Sequence, residues 1–394
     1  MLIPGGLDHG EFKLVKAGLV APLQRRQIEV DLFRRDNGGL VAHLTLETSG
    51  GQVTVDAMSD DTTPSRICEM SFVVDRRMMF EPQSSNDLPF HSAYAMRVHD
   101  CRWIVGVGKV EFPVFTGPLF DFDRTGREVQ IVGHGWERQM FQTKWNQETF
   151  RKGTRKTSVI KALFREAGFT QLAGIPDLPA RLPEKMTVGK RETLWAACQH
   201  LARSMDRHLF FDATGHPRLR REPDAPCIVL DDRHLMSEPV VDTDSSRTKN
   251  TFEVIGRKPK HHKRRVRDVR ELGPAWGNSK ENLKHNGKFY RDVLTEENDA
   301  IRTEAEAKAR AIRLRSRAER GVTDTQVDVL PLPHLEELDL VAVKGESALG
   351  RVRVSRFTLP LGPEPAPLSI NSLKHPRQVR GRGLSGRHLD RSWW

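Results

Sequence analysis

The sequence predicts a β-rich α+β protein in which strand-rich stretches lie on either side of a small α/β unit. Three observations carry that expectation. Apolar and polar residues alternate through most of residues 27–133, the period becomes helical between 157 and 205, and alternation returns after one long Ala/Glu/Arg-rich helix. At 394 residues the chain is long enough for two to four domains, each able to bury its own core.

In chain order, residues 27–33 (QIEVDLF) and 40–46 (LVAHLTL) alternate on either side of an Asp-Asn-Gly-Gly turn, which is a hairpin signal. A second pair follows at 51–56 (GQVTVD) and 68–74 (CEMSFVV), and residues 93–99, 103–112 and 128–133 supply three more strands. Short strands separated by turn signals point to a small barrel or sandwich. Residues 157–167 (TSVIKALFREA) place Val159, Ile160, Leu163 and Phe164 at helical spacing before Gly168, and 194–205 (LWAACQHLARSM) form a second amphipathic helix with Thr193 as cap. A strand, a turn at Ala213-Thr214-Gly215 and another strand complete the unit. After 251–256 (TFEVIG) and a basic run, residues 303–320 read as one long helix that Gly321 stops. Strands at 325–330, 338–343 and 351–359 close the pattern.

The formal net charge of +11 is confined to two short segments. Residues 258–270 (KPKHHKRRVRDVR) hold seven basic residues and one acid, residues 374–394 hold six and one, and together they account for the whole excess. A neutral body with two basic segments differs from a folded face that tracks phosphates. Such runs read as solvated segments, with docking on an acidic partner and contact with nucleic acid as the alternatives. The first run has no aromatic residue to stack a base. The second alternates Gly and Arg and ends on Trp393 and Trp394, which suit a partner's pocket or the chain's own surface. The candidate docking residues are therefore Lys258, Lys260, Lys263, Arg264, Arg265, Arg267, Arg270, Arg380, Arg382, Arg387, Trp393 and Trp394.

Four cysteines, Cys68, Cys101, Cys198 and Cys227, match neither metal-site spacing nor a disulfide framework and read as reduced, mostly core thiols. No window is apolar enough for a membrane span, and the start lacks the basic-then-apolar pattern of an export signal, so neither a membrane-spanning nor a Sec-exported protein is expected. No catalytic, cofactor or metal site is predicted. His208 and His216 flank a hairpin turn, His261-His262 lie in the basic run, and neither pair has zinc-helix spacing. Gly189-Lys190 precedes a helix without a phosphate loop, Asp121 and Asp123 suit a solvated turn, and His134 beside Trp136 reads as structural.

Several stretches carry a resemblance: residues 51–74 (GQVTVDAMSDDTTPSRICEMSFVV), 105–140, and above all 186–224, where a helix runs into FFDATGHPRLR and then Pro. With NTFEVIG (250–256), the Ala-rich helix, VDVLPLPHLEELDLVAV (327–343) and RVRVSRFTLPL (351–361), their order resembles the tail or baseplate hub (minor tail) proteins of tailed bacteriophages, siphophage type. The resemblance spans roughly residues 20–370 and leaves the basic loop and the tail after 374 without counterparts. It implies two small tail-tube-like β-barrel domains, at 1–150 and 231–373, around a central α/β unit at 151–230, with a basic C-terminal tail at 374–394. It also implies a virion structural protein and not an enzyme: a homotrimeric hub at the tail tip, joining the tail tube or distal tail protein to tip or fibre proteins, with DNA only in transit through its channel. A tail-associated peptidoglycan hydrolase and a basic nucleic-acid-binding protein are the alternatives.

Overall fold

The computed structural model describes residues 26–374 except 36–37, 47–48, 58–62, 74–93, 105–106, 126–127, 143–146, 190–191, 239, 244–248, 259–263, 274–283, 286–287, 322, 345–349 and 363–367. The first third is β1 (Arg26–Arg34), β2 (Leu40–Leu46), β3 (Ser49–Asp56), β4 (Arg66–Val73), β5 (Tyr94–Ile104), β6 (Gly108–Thr125) and β7 (Glu128–His134). The middle comprises α1 (Glu137–Met140), β8 (Glu148–Phe150), α2 (Lys156–Glu166), β9 (Met186–Val188), α3 (Leu194–Ser204), β10 (His208–Phe211) and β11 (Pro217–Arg220). The rest is β12 (Ile228–Leu230), β13 (Val240–Thr243), β14 (Thr251–Ile255), β15 (Arg267–Glu271), β16 (Lys284–His285), β17 (Lys288–Phe289), β18 (Val293–Glu297), α4 (Glu304–Gly321), β19 (Thr323–Val329), β20 (Leu340–Val343), β21 (Gly350–Pro360) and β22 (Leu368–Lys374).

The two ends of the chain share one sheet. Thirteen strands run β13-β19-β22-β21-β3-β4-β7-β6-β5-β1-β2, with β20 attached to β21 and β12 to β20. The seam between the ends is the antiparallel pair β3–β21, where Val53 faces Leu359 and Val55 faces Phe357. Alternation explains why this joins the cores as well as the backbones: period-two side chains put Ile28, Val30, Val53, Val55, Phe357, Leu359, Leu368 and Ile370 into one buried cluster. Each such side chain contributes about 1.5–3 kcal/mol when fully buried. Among the described residues no pairing joins β2 to β13, and no closed barrel is formed by them.

A buried polar group fastens the same seam. The Asp100 carboxylate is wholly buried on β5 and accepts from Arg26 Nε at 3.0 Å and from Arg102 NH2 at 3.0 Å. Those guanidiniums in turn donate to the carbonyls of Pro360 (2.6 Å), Gly362 (3.2 Å) and Pro331 (2.9 Å), all from the last third of the chain. Burial pushes the Asp100 carboxyl up, but Arg102 and Arg26 outweigh it and hold the group below the usual carboxylate range.

The middle of the chain has its own core. The apolar stripe of α2 (Val159, Ile160, Leu163, Phe164) packs on α3 and the β10–β11 hairpin, with Phe164, Phe169, Trp195 and Phe211 in mutual ring contact. Thr193 caps α3, its Oγ1 accepting from the Ala196 amide at 3.0 Å, and Gly168 follows α2 with φ +93°. The hairpin turn needs glycine at 215: φ is +78°, and a Cβ there would lie 2.8 Å from Trp136 Nε1. Gly215→Ala is expected to lower stability by about 1–3 kcal/mol through backbone strain and displacement of Trp136, read as a lower urea midpoint at unchanged slope.

A third core lies where β15-β14-β18 form a separate three-stranded sheet under α4. Ala307 and Ala311, fully buried, let the helix approach Phe252 and Val254 closely. Lys156 Nζ, 2% exposed, ties the central core to α4 through Glu306 Oε1 and Ser204 Oγ, both at 3.0 Å.

Candidate functional site

The densest polar cluster sits where the large sheet, the β10–β11 hairpin and the 331–339 segment meet. The hairpin is shaped by Asp212, whose Oδ1 accepts from the amides of Thr214 and His216, both at 3.0 Å. Its tip then docks on two sides: Ala213 O accepts from Thr116 Oγ1 at 2.9 Å, and the Ala213 amide donates to Glu336 Oε1 at 3.0 Å. Arg66, at the start of β4, donates to Val114 O at 2.9 Å and also to Glu336 Oε2. The FFDATG stretch therefore works as the contact by which the central unit grips the sheet.

Behind this contact lie two buried carboxyls. Glu137, on α1, is fully buried, and Glu337 is 1% exposed. Both approach Ser65 Oγ, Glu137 Oε1 at 2.7 Å and Glu337 Oε1 at 2.5 Å, while Glu337 Oε2 takes His208 Nε2 at 2.7 Å. A hydroxyl has one proton to donate, so one of these contacts is satisfied when a carboxyl carries the proton. Glu137 is that group: burial first, and the Glu337 charge second, push it up to about 7.

This arrangement lacks the serine–histidine–acid order of a nucleophilic triad. Activating a serine requires a base on its hydroxyl with an acid orienting that base. Here the carboxylate of Glu337 stands between Ser65 and His208, which reverses the order. The cluster instead shares protons and charge across three parts of the chain. No single element held a legible signal for it, because Ser65, Glu137, His208 and Glu337 come from segments up to 272 residues apart in sequence.

The other residues weighed from sequence fall elsewhere. His134 stacks on Phe120 at 3.9 Å, and burial, followed by the Arg138 charge, holds its imidazole below the usual range. His216 contacts Thr214 Oγ1 and Gln171 Oε1. Asp121 and Asp123 are exposed on β6, and His261 and His262 lie outside the described residues. Three potential metal ligands, Glu29, Cys101 and Glu111, do gather on the sheet. The Lys109 ammonium already serves the two carboxylates there, 2.7 Å from Glu29 and 3.0 Å from Glu111.

Of the basic docking candidates, Arg265, Arg267 and Arg270 lie on β15 or just before it. Arg265 pairs with Glu297 (2.9 Å) and Asp299 (3.1 Å), Arg267 with Glu253, and Arg270 with Asp268 (2.7 Å). Lys258 and Arg264 are exposed. Lys260, Lys263, Arg380, Arg382, Arg387, Trp393 and Trp394 lie outside the described residues. The outer strands of the large sheet also expose apolar residues: Leu40 and Val41 on β2, and Val240 on β13.

This architecture is similar to that of several solved phage tail proteins. The 43 kDa tail protein of prophage MuSo2 from Shewanella oneidensis superposes with a TM-score of 0.58 at 14% identity, over 89% of this chain and 99% of that one. A tail protein from Neisseria meningitidis MC58 gives 0.58 at 13% identity over 88% and 96%. A prophage tail protein from Listeria monocytogenes EGD-e gives 0.52 at 11% identity over 90% and 96%. At these identities the likeness is one of fold. No protein-family model and no curated protein matches the sequence. Among the described residues, no helix is long and apolar enough to cross a membrane.

Proposed function

We propose that this chain is a virion structural protein, the central hub of a phage tail tip or baseplate, without enzymatic activity. The observation that carries the reading is the shared sheet: strands from both ends of the chain form one ladder whose terminal strands, β2 and β13, each have one strand neighbour among the described residues. Exposed edge strands invite pairing with another chain, and a head-to-tail contact that closes gives a ring. In this reading the first and last strand-rich regions, 1–150 and 231–373, each make a tube-like barrel module, the central unit spans 151–230, and three chains present a quasi-sixfold ring to the tail tube.

The inner face of such a ring would pass DNA during ejection. Its chemistry should then be nearly neutral, since a strongly basic lumen would grip phosphate. Confinement of the excess charge to two segments supports that requirement. Lys258, Lys260, Lys263, Arg264, Arg265, Arg267, Arg270, Arg380, Arg382, Arg387, Trp393 and Trp394 would dock on the distal tail protein or on tip and fibre proteins. The siphophage type rests on the sequence resemblance alone. The virion tail tip is the proposed location.

Light scattering coupled to size-exclusion chromatography tests the assembly against the 44.8 kDa chain mass. A threefold mass, alone or upon addition of tail tubes, is the expected result. A monomer that stays unassociated with tubes at every concentration would refute the hub.

A further inference from the structure

A cavity of about 480 Å³ opens between the end of α3, the strand exit after β11, α4 and the loop at Glu337. Five arginines line it, Arg203, Arg207, Arg221, Arg310 and Arg313. Three are already engaged. Glu296 holds Arg310 with two-point contacts at 2.8 and 3.0 Å, Asp206 meets Arg313 at 3.0 Å, and Arg203 has a partner of its own. The acids of the wall are largely spent too: Asp206 on Arg313, Glu337 on His208 and Ser65, and Glu222 on Arg353 at 3.4 Å. Asp224, the fourth, is exposed.

Arg207 and Arg221 are what remains. Among the described residues neither guanidinium carries an ion pair or hydrogen bond, and Arg207 Nε is buried without a partner. Burial, and after it the neighbouring Arg221 charge, hold the Arg207 guanidinium below its usual range, so the two cations act on each other. The Asp206 charge offsets this only in part, and two adjacent guanidiniums without hydrogen-bond partners satisfy their donors and relieve their repulsion together when an anion with several oxygens sits between them.

We propose that this cavity is an oxyanion site, in which Arg207 and Arg221 grip a phosphate-like or carboxylate group. The anion would link the central unit to α4 and to the 331–339 segment, which belong to three different cores. The site is independent of the hub reading. Two sources supply the same chemistry: a small inorganic anion from solution, or an acidic side chain of a neighbouring chain.

The test uses the full chain in chloride buffer at pH 7. Inorganic phosphate and a hexaglutamate peptide are titrated by calorimetry, and the melting temperature is followed in phosphate against chloride at matched ionic strength. At least one probe should bind and raise the melting temperature, with affinity at least tenfold weaker in Arg207→Gln and in Arg221→Gln but unchanged in the exposed control Arg233→Gln. Phosphate binding assigns the small-ion source, and hexaglutamate binding alone assigns the side-chain source. In chloride both cavity variants should melt no lower than the parent, because each removes a repelling charge. No binding of either probe, or binding that survives both cavity substitutions, would overturn the site and leave water as the occupant. Because Arg221 is exposed, Arg221→Gln tests the site without disturbing buried packing.

Discussion

Asp100→Asn should destabilise the protein by about 3–5 kcal/mol, the usual cost of breaking a buried ion pair from one side. The size follows from what the substitution leaves behind. Asn keeps the shape of Asp but removes the charge, so Arg26 and Arg102, 10% and 6% exposed, are stranded without their shared counter-ion. Both also hold carbonyls of residues 331, 360 and 362, so the loss falls on the seam between the two ends of the chain. Equilibrium unfolding in guanidinium chloride at pH 7 measures it, and a change below about 1 kcal/mol would mean the carbonyl contacts alone hold the two arginines. The same group sets an acid limit. Its folded-state pKa lies below the ordinary value near 3.8, so its contribution is present above that pH and disappears as the pH falls through the lowered value.

Glu137 imposes the opposite dependence. Its carboxyl titrates at about 7 in the folded protein against an ordinary 4.5, so between those values the folded state holds a proton that the unfolded chain has released. Stability that is fully present below about pH 4.5 is therefore lost as the pH rises through about 7. Two to three pKa units correspond to roughly 3 kcal/mol. Unfolding curves at pH 5 and pH 8 should show at least this difference in the parent; Glu137→Gln, which imitates the protonated form, should reduce it to the part due to Glu336, whose carboxyl burial also pushes up to about 7, and be the more stable of the two proteins at pH 8. A parent whose stability is level across that range would show that the Glu137 proton is not part of the folded state. In the hub reading, this proton-sharing contact is where the central unit would loosen from the sheet at alkaline pH.

Local structure was largely legible because it depends on local spacing. The helices expected at 157–167, 194–205 and 303–320 are observed as Lys156–Glu166, Leu194–Ser204 and Glu304–Gly321, each with its apolar stripe on a core. The cap at Thr193 and the turn at Ala213-Thr214-Gly215 were equally plain, since capping and positive φ restrict residue type within a few positions. The strands at 93–99 and 103–112 were less so. The first strand runs on through Trp103 and Ile104 as β5, and only residues from Gly108 onward belong to β6, so the expected strand 103–112 spans the connection between the two; a register shift between Val98 and His99 also interrupts the alternation.

The order of elements, and with it the likeness to tail proteins, was thus determined by the sequence itself: periodicity, caps and turns are written in neighbouring residues. Only the tertiary structure decided that β3 pairs with β21 across some 300 residues and that Asp100 clamps arginines reaching the far end of the chain. It alone decided that burial and the Glu337 charge push the Glu137 carboxyl up, and that Arg207 and Arg221 line one cavity without a hydrogen bond among the described residues. Charge and burial at such places depend on which distant segments the fold brings within a few ångströms, and no local pattern encodes that distance.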